Sequence, residues 1–500
     1  MLFNSVDFLV FFPIVVLLYY CIPNRFRYIW LLVCSYYFYM CWNVEYALLL
    51  LGSTIITYFS GMLIEKFAKS AKENGKAHKK GAAKAVVVVS FVLNLGILFF
   101  FKYFDFFTEN LEKALSIVNI QVQMPQLSLL LPVGISFYIF QALGYTMDVY
   151  RGDIKAEKNF LKYAVFVSFF PQLVAGPIER SKNLLKQFSE EHKFDLKRVQ
   201  DSLLLMAWGY FCKMVIADRI AIFVDAVYSD YVTYGGWYIA VATVLFAFQI
   251  YCDFAGYSTI AMGAAGVMGF RLMENFEGPY CAVSVPDFWK RWHISLTSWF
   301  RDYLYIPLGG NRKGKFRKYL NKIIVFLVSG FWHGAQWSYV IWGGLNGLFI
   351  VLSEIFAPSR RWLKEKLGWK ENAASNKVLQ AITTFLLVDF TWIFFRAPGT
   401  KDALQMIQSM LTVKNFGIFF DSSLYRLGLD RRNFYVMILS IILLLVVDIC
   451  HNKGIRIRKW LESQNLWFRW LVYILLIESV LIFGIWGVGY DKAAFIYFQF

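Results

Sequence analysis

The sequence has only five histidines, and no two of its seven cysteines form a Cys-x-x-Cys pair. An odd set of thiols at Cys21, Cys34, Cys41, Cys212, Cys252, Cys281 and Cys450 argues for core packing rather than a disulfide framework or a thiolate metal site. Two histidines with no third ligand at helical spacing do not make a zinc site, so no metal is expected. There is no Gly-x-Ser-x-Gly elbow and no phosphate loop, which removes the common serine hydrolases and nucleotide hydrolases. No internal repeat is visible, and no low-complexity tract beyond one lysine-rich stretch. The first apolar run has no basic region before it and carries Asp7, so it is expected to stay as a span rather than be cleaved. Charged residues make up only 17% of the chain.

What is present is apolar. Of the 500 residues 58% are hydrophobic and 19% aromatic, more than a soluble protein of this length can hide but ordinary for spans facing lipid. Segments long enough to cross run from Phe8 to Ile22, Tyr28 to Trp42, Tyr46 to Ile64, Ala85 to Phe107 and Leu127 to Met147. Others are Tyr163 to Ile178, Leu203 to Val227, Trp237 to Ile250, Ile323 to Phe356, Val378 to Phe395, Phe434 to Cys450 and Phe468 to Ile485. At roughly 20 residues per span they predict about eleven crossings plus shorter dips. The fold class expected is an all-α polytopic membrane protein, with residues 1–500 as one membrane domain. The stretch Thr400 to Arg432 does not parse cleanly; a re-entrant dip or a miscounted span would account for it.

The net charge of +17 raises nucleic acid as a partner, but the cations sit between spans. Arg25 and Arg27 follow the first span, Lys66 to Lys84 the third, and Lys155, Lys158 and Lys162 the fifth, whereas Glu45, Glu109 and Glu112 follow the second and fourth. That alternation is the positive-inside pattern, with the bilayer as partner and not nucleic acid. It places the N-terminus outside, the Lys66 to Lys84 stretch in the cytoplasm and the C-terminus outside.

The chemistry is expected between Tyr251 and Asn346. His333 lies inside the apolar run Ile323 to Leu345, where an ionisable group calls for a cavity and a task. Histidine titrates nearest neutral pH, so that task reads as proton transfer. Forty residues upstream, His293 falls in Asp287-Phe-Trp-Lys-Arg-Trp-His-Ile-Ser-Leu-Thr-Ser-Trp-Phe-Arg-Asp302. This stretch reads as an amphipathic interfacial helix with Trp289, Trp292, Leu296 and Trp299 on one side. Bland readings stand beside these: His293 at the headgroup level, and His333 as a structural residue bonded to a neighbouring helix. Between them Tyr303 to Gly310 ends in a glycine turn, followed by the basic run Arg312, Lys313, Lys315, Arg317 and Lys318, with the first three as candidate donor contacts. That run reads either as an anchor or as a site for an anionic, phosphate-rich donor. Asp148, Asp389, Asp448 and Glu478 read as helix-pairing acids. A buried histidine base without a protein nucleophile suits direct transfer of an acyl group from a thioester to an alcohol.

Several blocks carry a resemblance. They are Leu131-Pro-Val-Gly-Ile-Ser-Phe-Tyr-Ile-Phe-Gln141 with Tyr145 to Gly152, Ser168-Phe-Phe-Pro-Gln-Leu-Val-Ala-Gly-Pro-Ile178 and Asp253-Phe-Ala-Gly-Tyr-Ser258. Asp287 to Gly310, Phe331-Trp-His-Gly-Ala-Gln-Trp337 and Trp392-Ile-Phe-Phe-Arg-Ala397 complete the set. In this order they resemble the membrane-bound O-acyltransferase (MBOAT) family, in its bacterial branch of alginate O-acetylation proteins and D-alanyl-lipoteichoic acid transferases. The resemblance covers most of the chain. Met273 stands where proline is expected before Glu-Asn-Phe, and Lys290 where arginine is common. The resemblance implies a ring of tilted helices around a central funnel, a catalytic core over about 130–397, His333 as the catalytic histidine and His293 as the second. It also implies a cytosolic donor, acetyl-CoA in the alginate branch, and an extracytoplasmic transferase as partner in a bacterial cell membrane. The length favours O-acetylation of an exported polysaccharide or peptidoglycan over D-alanyl transfer. The competing class is a transporter or scaffold of a wall-assembly complex, against which the lack of paired repeats counts.

The tail Phe495-Ile-Tyr-Phe-Gln-Phe500 has two readings. Its aromatics suit an interfacial anchor. Alternatively, Tyr497 offers a hydroxyl that takes the acyl group as a phenyl ester and passes it on.

Overall fold

The protein is described by a computed structural model over residues 1–74, 77–127, 129–174, 176–370 and 373–486. Among these residues all regular structure is helical and no strand occurs. In hydrocarbon a helix satisfies its backbone groups within its own segment, which an open strand does not. Seven helices are long and apolar enough to cross: Val44–Ser70, Gly81–Ile117, Trp237–Val267, Trp337–Ile355, Ala374–Arg396, Arg431–Asn452 and Leu466–Phe483. This is a multi-pass membrane protein.

Several expected spans differ in form. Tyr163 to Ile178 breaks into a nine-residue helix, Phe160–Ser168, and a four-residue one, Phe170–Leu173, both too short to cross. Pro171 has no N–H to offer the carbonyl four residues back, so one continuous helix is not available. Leu127 to Met147 is helical only from Ile135, where Gly134 turns the chain with φ +72°. The lysine-rich stretch is largely helical rather than a loop. Lys66 and Lys69 ride the end of helix Val44–Asn74 and Lys84 lies in helix Ala77–Leu98, while Lys76 lies outside the described residues. Thr400 to Arg432 contains an amphipathic helix, Thr400–Thr412, with Ala403 and Met406 buried, and two single 3-10 turns.

The chain forms two compact units. In the first, residues 1–206 and 260–273, helix Ile135–Arg151 is buried nearly all round and serves as the core. Hydrogen bonds between side chains tie its neighbours together. Ser53 donates to Asn94 at 2.6 Å, Tyr163 to Thr57 at 2.7 Å and Ser181 to Asp148 at 2.6 Å. Where water is excluded, each buried polar group needs such a partner.

The second unit, residues 207–259 and 274–500, holds both candidate histidines. A buried ion cluster lies at a π-helical stretch, Phe211–Ala217, where Lys213 Nζ stands 2.7 Å from Asp218 and 2.6 Å from Asp253. Tyr251 donates to Asp448 at 3.0 Å. Asp148 and Asp448 are thus paired to other helices, as expected of intramembrane acids. The last helix, Leu466–Phe483, has no buried side chain. It is held at its end by Arg219, which donates to the carbonyl of Phe483 at 2.6 Å.

Candidate active site

Ile323 to Phe356 is not one span. Helix Gly314–His333 stops at the histidine, and helix Trp337–Ile355 returns after three residues. Glycine makes this antiparallel hairpin possible. A β-carbon on Gly330 would fall on the carbonyl of Tyr339, and one on Gly343 on that of Phe326. Small residues let membrane helices approach backbone to backbone, which branched residues would prevent. Gly334 leaves the space that the ring of Tyr339 fills beside the turn.

His333 is therefore the last residue of a helix, not the middle of one, and only 5% of its surface is exposed. Aromatic rings surround it at steep angles: Trp332 at 4.9 Å, Trp342 at 5.1 Å and Phe395 at 5.4 Å between ring centres. Trp342 stacks on Trp392 at 5.7 Å. Asn346 locks this wall. It donates to Thr391 at 3.1 Å and accepts from the indole N–H of Trp289 at 3.3 Å. Three helices are joined by one amide. The carbonyl end of a helix stabilises the positive charge a base gains on taking a proton.

The stretch expected as one amphipathic helix is two. Helix Val285–Arg291 is capped by Ser284, whose hydroxyl accepts from the N–H of Asp287 at 3.2 Å, and Asp287 pairs with Arg291 at 3.1 Å. Trp292 is extended, and His293 adopts the left-handed conformation, φ +45° and ψ 54°, at the start of helix Ile294–Phe300. A non-glycine residue there costs about 1–3 kcal/mol and persists only where neighbours hold it. The holder is Asn275. Its backbone carbonyl accepts from Ile294 at 2.9 Å. Its side-chain oxygen faces the N–H of Ser295 at 3.3 Å, the hydroxyl of Ser295 at 2.9 Å and Nδ1 of His293 at 3.1 Å.

His293 is 1% exposed, and Trp289, Trp292, Leu296 and Trp299 are buried with it. The headgroup-level reading of His293 does not match this burial. These tryptophans pack in protein, with Trp292 against Phe276 at 5.1 Å and Trp392 at 5.2 Å. Burial lowers the pKa of His293 to about 3, because an imidazolium is poorly solvated there.

The two histidines meet the same side chain. Trp332 lies 6.3 Å from His293 and 4.9 Å from His333, ring centre to ring centre. Arg312, Lys313 and Lys315 are not brought to them. They are exposed at the opposite end of the His333 helix, about 30 Å away at 1.5 Å per residue. Tyr497 lies outside the described residues. Asn275 and Asn346 were not legible as site residues: each is one amide in an apolar or turn-forming stretch, with no spacing to mark it.

Residues 154–388 match the model of the family described as MBOAT, membrane-bound O-acyltransferase family. The chain belongs to the membrane-bound O-acyltransferase family and is an O-acyltransferase. Among its relatives, the Probable alginate O-acetylase AlgI of Pseudomonas aeruginosa is 36% identical over 450 residues, 89% of this chain and 81% of that protein. The peptidoglycan O-acetyltransferase of Helicobacter pylori is 30% identical over 508 residues, covering 94% of this chain and 91% of its own length. A teichoic acid D-alanyltransferase of Streptococcus thermophilus is similar over a shorter stretch, 28% identical across 54% of this chain and 68% of its own.

Proposed function

We propose that this protein is an O-acetyltransferase of a bacterial cell membrane that moves an acetyl group from cytosolic acetyl-CoA toward an exported polysaccharide or peptidoglycan. The observation that carries the reading is the pair His333 and His293, both buried and both against Trp332. The names of two relatives matched over most of the chain, an alginate O-acetylase and a peptidoglycan O-acetyltransferase, support acetyl over D-alanyl transfer.

In this reading His333 is the general base. It takes the hydroxyl proton of the acceptor as that oxygen attacks the thioester carbonyl. The new carbon–oxygen bond forms, the tetrahedral intermediate collapses, and the carbon–sulfur bond breaks. The thiolate leaves without acid help or recovers the proton from the imidazolium. Around the histidines we place the ring of about eleven tilted helices and the central funnel that the family resemblance implies. The cations Arg312, Lys313 and Lys315 sit at the cytoplasmic mouth, where positive charge suits both anchoring and a donor's phosphates.

The N- and C-termini are then extracytoplasmic. Tyr497 is the candidate acyl relay to an extracytoplasmic transferase partner, and Tyr497→Phe removes the nucleophile while keeping the ring. Loss of glycan acetylation in that variant supports the relay, and unchanged acetylation leaves the tail an anchor. The donor is tested with membrane vesicles given acetyl-CoA labelled in the acetyl group. Base-labile label in the glycan fraction is expected. Absence of such label, with label from activated D-alanine instead, would replace the acetyl reading.

A further inference from the structure

The side-chain oxygen of Asn275 receives three donors, and one of them is a backbone N–H, that of Ser295. A backbone N–H only donates, so the atom it faces is the amide oxygen. The other end of the same amide agrees, since Nδ2 of Asn275 donates to the hydroxyl of Ser258 at 3.2 Å. An amide oxygen only accepts. Nδ1 of His293, 3.1 Å away, must therefore carry the proton, and in the neutral ring Nε2 is then the acceptor.

We propose that Asn275 is a positioning residue that holds His293 in its left-handed turn and in the Nδ1–H tautomer, so that Nε2 meets the substrates as a hydrogen-bond acceptor rather than donating to the thioester carbonyl. The proposal rests on the acyltransfer reading above and assigns His293 its part in it. Asn275 has no exposed surface, and it meets the His293 turn through both its backbone and its side chain. The same contacts that hold the strained backbone also set the ring's protonation pattern.

Uncharged rings pack on the imidazole: Phe254 from helix Trp237–Val267 at 4.6 Å, Phe276 at 6.5 Å, and Trp332 from the hairpin at 6.3 Å. Asp253, beside Phe254, pairs with Lys213. Glu274 is exposed, Glu277 pairs with Arg456 at 3.7 Å, and Arg291 pairs with Asp287. His333 stands across Trp332. A carboxylate placed at position 275 would thus put a charge directly against Nδ1.

The test is the pH profile of acetyl transfer in membranes carrying Asn275→Asp, Asn275→Leu, His293→Ala or the pair His293→Ala with Asn275→Asp. Asn275→Asp keeps the acceptor and favours the imidazolium, and at a site this buried the shift should be about three pH units or more. That is enough to carry the ring from about 3 into the assayed range, so the acidic side of the profile should move up, with activity recovered at alkaline pH. Asn275→Leu should lose on the order of tenfold or more at every pH. In the His293→Ala background, Asn275→Asp should move nothing. If Asn275→Leu does not reach the membrane folded, the Asn275→Asp profile decides alone. A profile for Asn275→Asp that superimposes on the unmodified protein, while His293→Ala is impaired, overturns this proposal and leaves the acyltransfer reading intact. Full activity in His293→Ala overturns the part given to His293 itself.

Discussion

Gly343 lies so close to the carbonyl of Phe326 that a β-carbon there would fall well inside van der Waals contact with the oxygen. The obstacle is backbone, so no side chain can swing aside. Gly343→Ala should force the His333 hairpin apart and destabilise the protein by about 1–3 kcal/mol, with Gly343→Val worse. Thermal unfolding in detergent measures this. Gly344→Ala is the control, because its nearest neighbour is the end of the Leu327 side chain at 3.4 Å. Equal stability of the Gly343 and Gly344 variants would mean the hairpin is not packed this tightly.

Lys213 offers a second stability test. Its ammonium sits between two carboxylates, Asp218 and Asp253, with about 1% of the lysine side chain exposed. Removing the cation strands two acids in a dry site, a loss of about 3–5 kcal/mol. Lys213→Met should therefore lower the unfolding temperature strongly. Adding Asp218→Asn and Asp253→Asn should restore a large part of it, because the two carboxylates facing position 213 are then replaced by neutral amides. A triple variant no better than Lys213→Met would show that the loss comes from packing rather than charge.

A pH dependence follows from His293. Its folded pKa is lowered to about 3 by burial, while the unfolded ring titrates near 6.5. Between those values the unfolded chain binds a proton that the folded protein refuses. Stability therefore falls as pH drops below about 6.5, at up to about 1.4 kcal/mol per unit, until the folded ring also titrates. Comparing unfolding temperatures of the unmodified protein and His293→Asn from pH 7.5 to 5 isolates the term. The variant should be the less acid-sensitive of the two; parallel slopes would contradict the burial of a neutral ring.

The multi-pass helical class was legible because hydrocarbon imposes a simple rule, about 20 apolar residues per crossing, and the two histidines stood out as exceptions to it. The positions of the breaks were not legible. His333 looked mid-span because Ile323 to Phe356 is apolar throughout. The reversal depends on Gly330 and Gly343 meeting backbone carbonyls of the facing helix, which hydropathy does not register. Likewise Asp287 to Asp302 has helical spacing on both sides of His293. The contacts that hold a histidine left-handed there come from Asn275, eighteen residues earlier, and no spacing marks them. The tryptophans that suggested a membrane interface line a protein interior instead, since composition alone does not separate the two settings.

If His333 takes the proton of the attacking hydroxyl, as proposed, its loss should cost the reaction most of its rate. The most direct measurement is the rate of acetyl transfer from labelled acetyl-CoA into the glycan fraction by membranes carrying His333→Ala at matched protein level. A fall on the order of 100- to 10,000-fold is expected, with membrane insertion and unfolding temperature nearly unchanged. A His333→Ala protein that transfers acetyl groups at the unmodified rate would contradict it.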